Sequence, residues 1–347
     1  MSDTSDAAHE DSPLFLGIDV GGTGIKIGLV DDSGKPLRKI RIDTLEEQGP
    51  EDALQRIHAA CLRLLSGDPE AKNSAAATSW DRVAGIGLGT PGTMDIPNGL
   101  ILTPPNLPHW RNFPIRDRLA EITGRPVAFT NDANAAAYGE FWVGSGRDHN
   151  SMIMLTLGTG VGGGIIVDGK CIEGANSFGS ECGHILIDSR DDARLCVWGG
   201  GRGQLEAYAS ASAVAQRVHE ALRAGEPSSL HDVPGGIESL TTLDLAHAGD
   251  AGDELALRIL TETGRYLGVG VVTLVHTIDP GMVVLGGAMN FGGDSSPAGR
   301  CFLQAVKDEF QERAFDVVQH TTEIAFATLG SDAGYIGAAG HAKVTIG

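Results

Sequence analysis

The sequence predicts an α/β protein built from two similar domains. An apolar strand, a glycine-rich turn and a second strand occur at residues 14–30, and the same pattern returns at residues 152–167. Gly22-Thr23-Gly24 of the first copy corresponds to Gly158-Thr159-Gly160 of the second, which indicates a repeated unit. With 347 residues, the chain also exceeds the size that one hydrophobic core usually serves.

Composition and charge exclude several classes of protein. Hydrophobic residues make up 41% of the chain, enough for a core in each domain, and the formal net charge of −19 argues against nucleic acid and anionic membranes as partners. No apolar run approaches the roughly 18 residues of a membrane span, and the opening residues resemble no targeting signal. The five scattered cysteines, an odd number, favour a reducing cytoplasm.

Hydrophobic periodicity and turn residues predict the elements in order. In the first half they predict strands at 14–20, 25–30 and 83–88, one ending at Ile42 and one starting at Val127, with helices at 51–65 and 115–122. In the second half they predict strands at 152–157, 165–167, 282–285 and 324–327, with helices at 206–224 and 254–277. A long connection rich in Gly, Pro and Asn follows Leu88, and loops of that length are usually functional.

These elements define the expected domains. We expect a disordered tail at residues 1–13, an N-terminal α/β domain at residues 14–135 and a C-terminal α/β domain at residues 136–330. Residues 331–347 are expected to form a helical segment that packs back on the N-terminal domain.

The junction between a strand and an alanine-rich helix at Asn131-Asp132 is the first candidate site. Open α/β sheets place their chemistry at such junctions. Asp132 can be a helix cap, which is the usual role of a carboxylate there. If Asn131 or Asn134 caps the helix instead, Asp132 can act as a general base.

The two glycine loops are candidate phosphate sites. GTGVGG matches the dinucleotide pattern G-x-G-x-x-G but opens a strand rather than a helix, and the Walker pattern is absent from both loops. Gly-Thr-Gly between two strands lets backbone N–H groups approach phosphate oxygens, and two such hairpins can hold a nucleotide. The alternative is a pair of structural turns. Asp19, just before the first loop, can hold Mg²⁺, through water.

Glu181 and His184, together with Glu206, form a second polar group in a glycine-dense segment. Carboxylates and an imidazole supply hydrogen bonds that suit the hydroxyls of a sugar. The alternative is a histidine that is satisfied within the core or a loop.

These motifs resemble a known family. LFLGIDVGGTGIKIGLV, GLGTPG, PPNLPHW, TNDANAAAYGE, LGTGVGGGIIVDGK, ECGH and CVWGGGRGQLEAYAS, in this order, are similar to the ROK family of bacterial sugar kinases, and within it to the glucokinases. The resemblance covers nearly the whole chain. It implies two actin-like (ribonuclease-H-like) α/β domains with an interdomain cleft that closes over sugar and MgATP, usually in a homodimer.

The resemblance also implies roles for individual residues. Asp132 matches the base that deprotonates the sugar's 6-hydroxyl. The positions that match sugar-binding residues are Asn106, Asn131, Asp132, Glu181, His184 and Glu206. The positions assigned to MgATP are Asp19, Gly22, Thr23, Gly24, Lys26, Gly158, Thr159, Gly160 and Gly162, with Gly286 and Gly287 near the adenosine.

The chain departs from the family pattern in two ways. Family members carry a structural zinc held by a histidine and three cysteines, whereas this chain pairs His184 with Cys196 alone and has Trp198 and Gln204 near the other positions. We therefore expect no structural zinc. Repressor members carry a DNA-binding domain before the kinase region, and the 13 residues there are too few, so repression is not expected.

The sequence leaves the substrate open. An ATP-dependent glucokinase is expected, with a fructokinase or N-acylhexosamine kinase of the same family as alternatives. A non-catalytic sugar-binding regulatory protein is the alternative of another class, and polyphosphate remains an alternative donor.

Overall fold

The computed structural model describes residues 12–67, 77–196 and 201–347. The strands are β1 (Leu14–Val20), β2 (Gly24–Asp31), β3 (Pro36–Asp43), β4 (Val83–Thr90), β5 (Thr93–Asp95), β6 (Leu100–Thr103), β7 (Val127–Asn131), β8 (Met152–Leu157), β9 (Val161–Val167), β10 (Lys170–Cys171), β11 (Met282–Gly286) and β12 (Glu323–Phe326). The helices are α1 (Gly49–Ser66), α2 (Ile115–Thr123), α3 (Asp132–Val143), α4 (Glu206–Ala209), α5 (Ala211–Arg223), α6 (Thr242–Asp250), α7 (Glu254–Ile278), α8 (Pro297–Arg313), α9 (Asp316–Thr321) and α10 (Ala333–Ile346).

The chain divides into two compact units. Unit 1 comprises residues 1–147, 171–179 and 331–347, and unit 2 comprises residues 148–170 and 180–330. The tail expected at residues 1–13 lies mostly outside the described residues. The boundary expected after residue 135 falls within α3, which the structure keeps whole in unit 1.

The sheet of unit 1 has the strand order β3-β2-β1-β4-β7. β1 and β2 form an antiparallel hairpin and β3 continues it antiparallel to β2, whereas β4 and β7 run parallel to β1. Apolar side chains of the sheet pack against α1 in a continuous core that includes Leu16, Ile27, Leu54 and Leu88. The carboxyl ends of the parallel strands therefore meet at one edge, where β7 passes directly into α3.

The sheet of unit 2 has the order β10-β9-β8-β11-β12 and a similar arrangement of antiparallel and parallel strands. β8 and β9 form an antiparallel hairpin, and β11 and β12 run parallel to β8. Its core joins the sheet to α7 and α8, with Leu155, Val271 and Phe302 among the fully buried side chains.

Helix α10 completes unit 1 by packing on β1, β4, β7 and α3. It is buried along most of its length and is made largely of glycine and alanine. The backbone approach is close because a Cβ at Gly87 of β4 would lie only 1.7 Å from the carbonyl oxygen of Ala338. Small residues on both elements are therefore a condition of this packing.

The sequence prediction placed two elements differently and did not include others, namely β5, β6, β10, α6, α8 and α9. The helix expected at residues 206–224 is interrupted at Ser210, which is extended (φ −80°, ψ 161°) because its side chain caps α5 by accepting from the N–H of Ala213. The strand expected at Ile165 begins at Val161, so that glycines 162–164 belong to β9. A Cβ at Gly163 would lie 2.3 Å from the sulfur of Cys182, which explains the glycine in that strand.

None of the helices in the described ranges has the length and hydrophobicity that crossing a bilayer requires.

Candidate active site

At the β7–α3 junction, two adjacent polar residues make different hydrogen bonds. Asn131 is the N-cap of α3, and its side-chain oxygen accepts the N–H of Asn134 at 2.6 Å. Asp132 is the first residue of the helix and is exposed, with Oδ1 accepting the N–H of Ala133 at 2.9 Å. The capping bond that a carboxylate would otherwise supply is thus made by the neighbouring amide.

The first glycine loop connects β1 to β2. The N–H of Gly21 donates to the carbonyl of Gly24 at 3.0 Å, which closes the turn. Thr44 holds the loop from the side, since its hydroxyl donates to the carbonyl of Gly21 at 2.7 Å and its N–H donates to that of Thr23 at 3.2 Å. Sequence analysis did not identify this buried threonine, because nothing local in its sequence connects it with a loop 20 residues earlier.

The second glycine loop is held in a similar way. The N–H of Gly158 donates to the carbonyl of Gly160 at 3.0 Å. The N–H of Ala211 donates to the carbonyl of Gly158 at 2.8 Å, and the hydroxyl of Ser212 donates to that of Thr159 at 2.9 Å. In both loops, therefore, carbonyl oxygens are bound by the same unit. These contacts restrain the position of both loops.

Asp19 lies beside the first loop, in register with Lys26 of β2. Burial raises the pKa of the Asp19 carboxyl, and the ammonium of Lys26 lowers it in part. Gly334, at the start of α10, approaches so closely that a Cβ there would lie 2.5 Å from Oδ2 of Asp19. A partly buried carboxylate is stabilised by a cation, so Asp19 fits the Mg²⁺ role in which one carboxylate is supplemented by water and phosphate.

Lys26 has a partner of its own in unit 1. Its Nζ donates to the carbonyl of Ser331 at 2.7 Å, which ties β2 to the segment before α10. Asn106, from the long connection after β4, is exposed and lies against the first loop. A Cβ at Gly22 would be 3.1 Å from that of Asn106. Unit 1 thus brings together the first loop, Asp19, Lys26 and Asn106.

Glu181 and His184 lie in unit 2, within a short turn that follows β10. Both are exposed, and Nε2 of His184 is 3.9 Å from Oε2 of Glu181. Partial burial raises the pKa of Glu181, with His184 opposing that shift and Glu206 adding to it. Nδ1 of His184 lies 3.2 Å from Oε1 of Gln204, so the imidazole is oriented by an amide at one ring nitrogen.

Glu206 differs from these two residues in being buried, with 5% of its surface exposed. Its Oε2 accepts a hydrogen bond at 2.9 Å from the N–H of Val161, which is the first residue of β9. Its Oε1 accepts the thiol of Cys196 at 2.8 Å. Glu206 thus fixes the end of the second glycine loop, a structural contact that sequence analysis did not anticipate for a predicted sugar ligand.

The contacts of His184 and Cys196 bear on whether these side chains could bind zinc. His184 faces Gln204, whereas the thiol of Cys196 faces the carboxylate of Glu206. Within the described ranges, no group of three or more His, Cys, Asp and Glu residues is arranged to hold a metal ion. Trp198, predicted near a lost ligand position, lies outside the described residues. Of the four donors that a structural zinc site uses, His184 and Cys196 are the two that the sequence retains, and each contacts a different side chain.

Gly162, Gly286 and Gly287 also lie in unit 2. Gly162 pairs with Thr156 across the hairpin. Gly286 ends β11, and Gly287 follows it with φ +94°. A Cβ at Gly287 would lie 2.2 Å from the carbonyl oxygen of Leu157, so both glycines allow the chain to leave the sheet beside the second loop.

Two units with matching sheets, each with a glycine hairpin at the first pair of strands, define a two-domain actin-like α/β protein. The particular family follows from direct comparison. The ROK family model matches residues 15–344, and the chain belongs to the ROK family.

Its relatives include enzymes and regulators. A glucokinase of Thermotoga maritima is 34% identical over 333 residues, covering 96% of this chain and 98% of that protein. A glucokinase of Halalkalibacterium halodurans is 36% identical over 326 residues, covering 93% of each. A ROK family glucokinase from Streptomyces griseus, solved in complex with glucose and AMPPNP, matches with a TM-score of 0.75 at 29% identity, covering 95% of this chain and 99% of that one. A xylose repressor of Caldicellulosiruptor bescii is 28% identical over 329 residues, 95% of this chain and 78% of the repressor.

Proposed function

We propose that this protein is an ATP-dependent glucokinase that transfers the γ-phosphoryl group of ATP to the 6-hydroxyl of glucose. Support comes from the two relatives named as glucokinases and from the related glucokinase solved with glucose and AMPPNP. The repressor relative is less similar and is matched over a smaller share of its own length. We also expect the enzyme to act in the cytoplasm as a homodimer.

The observation on which the proposal rests is the division of roles at the start of α3. Asn131 makes the capping hydrogen bond, and Asp132 is exposed at the carboxyl end of β7. An exposed carboxylate at this position can act as a general base. Asp132 would accept the proton of the 6-hydroxyl as its oxygen bonds to the γ-phosphorus, while the bond from that phosphorus to the β–γ bridging oxygen breaks and ADP leaves.

The phosphate groups would be bound by the two glycine loops. Phosphoryl transfer requires mainly positioning and stabilisation of negative charge. Contacts of the loop carbonyls with Thr44, Ala211 and Ser212 hold the loops in place, and backbone N–H groups of the loops would donate to the phosphate oxygens. Asp19 would hold Mg²⁺ through water, and the metal when bound neutralises charge on the phosphates.

The sugar would be recognised by amide, carboxylate and imidazole side chains. Asn106 and Asn131 offer amides, Glu181 offers a carboxylate and His184 an imidazole whose tautomer is influenced by Gln204. Glu206 has one contact on each oxygen already, so we assign it a single further hydrogen bond to a hydroxyl. Consecutive equatorial hydroxyls, as in glucose, suit this set.

Substrate choice is tested by measuring kcat/KM with ATP for glucose, mannose, fructose and N-acetylmannosamine. A sugar that leaves one buried polar group unpaired loses about 1–3 kcal/mol, so mannose should be roughly 5- to 150-fold poorer than glucose. A preference for fructose or N-acetylmannosamine would contradict the glucose assignment and leave the kinase mechanism intact. Absence of turnover with every sugar, using either ATP or polyphosphate, would contradict the kinase assignment itself.

A further inference from the structure

Unit 1 contains a cavity of about 500 Å³ whose lining is strongly basic. Within the described part of the chain it is lined by Lys26, Lys39, Ile40, Arg41, Arg63, Ser331, Asp332 and Tyr335. Four of these side chains are cationic and one is anionic. The chain as a whole has a formal net charge of −19, so this cluster of positive charge is opposite in sign to the net charge of the protein.

The cations converge from different elements of unit 1. Lys26 lies on β2, Lys39 and Arg41 on β3, and Arg63 near the end of α1. Lys39 and Arg41 are exposed, so their charged ends are accessible to a solute. Lys39 and Arg41 alternate with Ile40 and Ile42, so both cations lie on the same face of β3, the edge strand of the sheet.

The contacts within the cavity use only part of the available donors. Nζ of Lys39 is 2.6 Å from Oδ2 of Asp332, and Nζ of Lys26 donates to the carbonyl of Ser331. An ammonium carries three N–H donors, so each named contact uses one of them. The guanidinium of Arg41 is 3.5 Å from Asp43, at the limit of an ion pair, and both groups are exposed.

The start of α10 adds to the positive field. Ser331 and Asp332 precede the 14-residue helix, whose N-terminal N–H groups carry partial positive charge. The side chain of Asp332 makes no capping hydrogen bond to this helix and pairs with Lys39 instead.

A buried hydroxyl borders the same cavity. Tyr335 is fully buried, and burial, followed by the nearby carboxylate of Asp332, raises its pKa. A hydrogen bond with Asp332 adds to that shift, so Asp332 interacts with both Tyr335 and Lys39.

We propose that this cavity is a binding site for a small phosphorylated metabolite, a phosphate monoester dianion, that shares Lys26 with the residues assigned to MgATP and is otherwise formed by residues outside that set. Arginine and lysine are the side chains that best bind phosphate oxygens. The volume accommodates a three-carbon phosphate with its hydration. Asp332 is the internal anion that this ligand displaces from Lys39.

The site adjoins the first glycine loop without being part of it. A Cβ at Gly24 would lie 2.3 Å from a guanidinium nitrogen of Arg41, so an anion that draws Arg41 into the cavity changes a contact with that loop. Binding of the phosphate ester in the cavity is therefore expected to affect the first glycine loop, where unit 1 would bind the phosphate donor.

The test is calorimetric titration of the full-length protein with glycerol 3-phosphate, with glycerol as the neutral control, in the absence of sugar and nucleotide. Saturable binding of the phosphate ester alone is expected. Lys39→Met and Arg41→Met should each weaken it about 10-fold or more, as expected for loss of a charge-assisted hydrogen bond. Asp332→Asn should tighten it several-fold because the competing carboxylate is removed.

Lys35→Met is the matched control, since Lys35 is exposed in the turn before β3 and lies outside the cavity. It removes the same charge and should leave the affinity unchanged. Equal weakening by Lys35→Met would show a diffuse electrostatic effect and overturn the proposal, as would absence of saturable binding to the wild type. If Lys39→Met raised the KM for ATP by the same factor as the dissociation constant, the cavity would belong to the donor site and the proposal would again fail.

Discussion

At the scale of single residues, the proposed mechanism rests on different roles for Asn131 and Asp132. Both residues are favoured N-caps, so the sequence alone leaves their roles interchangeable. The structure assigns the capping bond to Asn131 through its contact with Asn134. What the sequence could not supply was the rotamer of each side chain, which depends on the path of the chain from β7 into α3.

Asp132→Asn is the substitution that separates base from cap. The amide keeps the size and most hydrogen bonding but cannot accept the proton, so kcat should fall roughly 10²- to 10⁴-fold. Glucose binding and the thermal midpoint should change little. Asn131→Ala is the contrasting variant, because loss of the cap should lower stability by about 1 kcal/mol. Near wild-type turnover by Asp132→Asn would mean that Asp132 is not the base.

The donors near His184 carry the second residue-scale prediction. Purified protein should contain well under one zinc per chain, because His184 is engaged with Gln204 and Cys196 with Glu206. Chelation should leave the thermal midpoint unchanged. Elemental analysis decides the matter, and stoichiometric zinc whose removal unfolds the protein would contradict this assignment.

At the scale of elements, the pattern of apolar residues located most strands and long helices, since burial on one or both faces leaves a direct trace in the sequence. It did not locate the break at Ser210 or the early start of β9 at Val161. Both depend on contacts between distant segments, namely a serine cap and the approach of Cys182 to Gly163. The restraint of the glycine loops by Thr44 and Ser212 was missed for the same reason.

The packing of α10 on β4 gives a prediction at this scale. Gly87→Ala would place a Cβ 1.7 Å from the carbonyl oxygen of Ala338, so either the strand or the helix must shift. We expect a loss of about 1–3 kcal/mol or more in the free energy of unfolding, measured by chemical denaturation. Gly201→Ala is the control, since a Cβ there comes no closer than 3.4 Å, to the flexible amide of Gln204. Equal stability of both variants would contradict close packing at Gly87.

At the scale of the whole molecule, the repeated hairpin was the strongest signal in the sequence. It predicted two similar domains, and each unit has a sheet in which an antiparallel hairpin is extended by parallel strands. The basic cavity had no such signal, because Lys26, Lys39, Arg63 and Asp332 are far apart in sequence. Only the folded chain brings them together, which explains why binding sites are harder to predict than periodic elements.

The position of α10 also has a consequence for the order in which the protein can be completed during synthesis. The strands β1, β4 and β7 are synthesised early. Helix α10, which covers their shared face, is synthesised only after all of unit 2. Unit 2, in contrast, is contained between residues 148 and 330 and has all its parts before α10 emerges. The first part of the chain to be translated is therefore the last to be finished, and its sheet stays uncovered on one face throughout elongation.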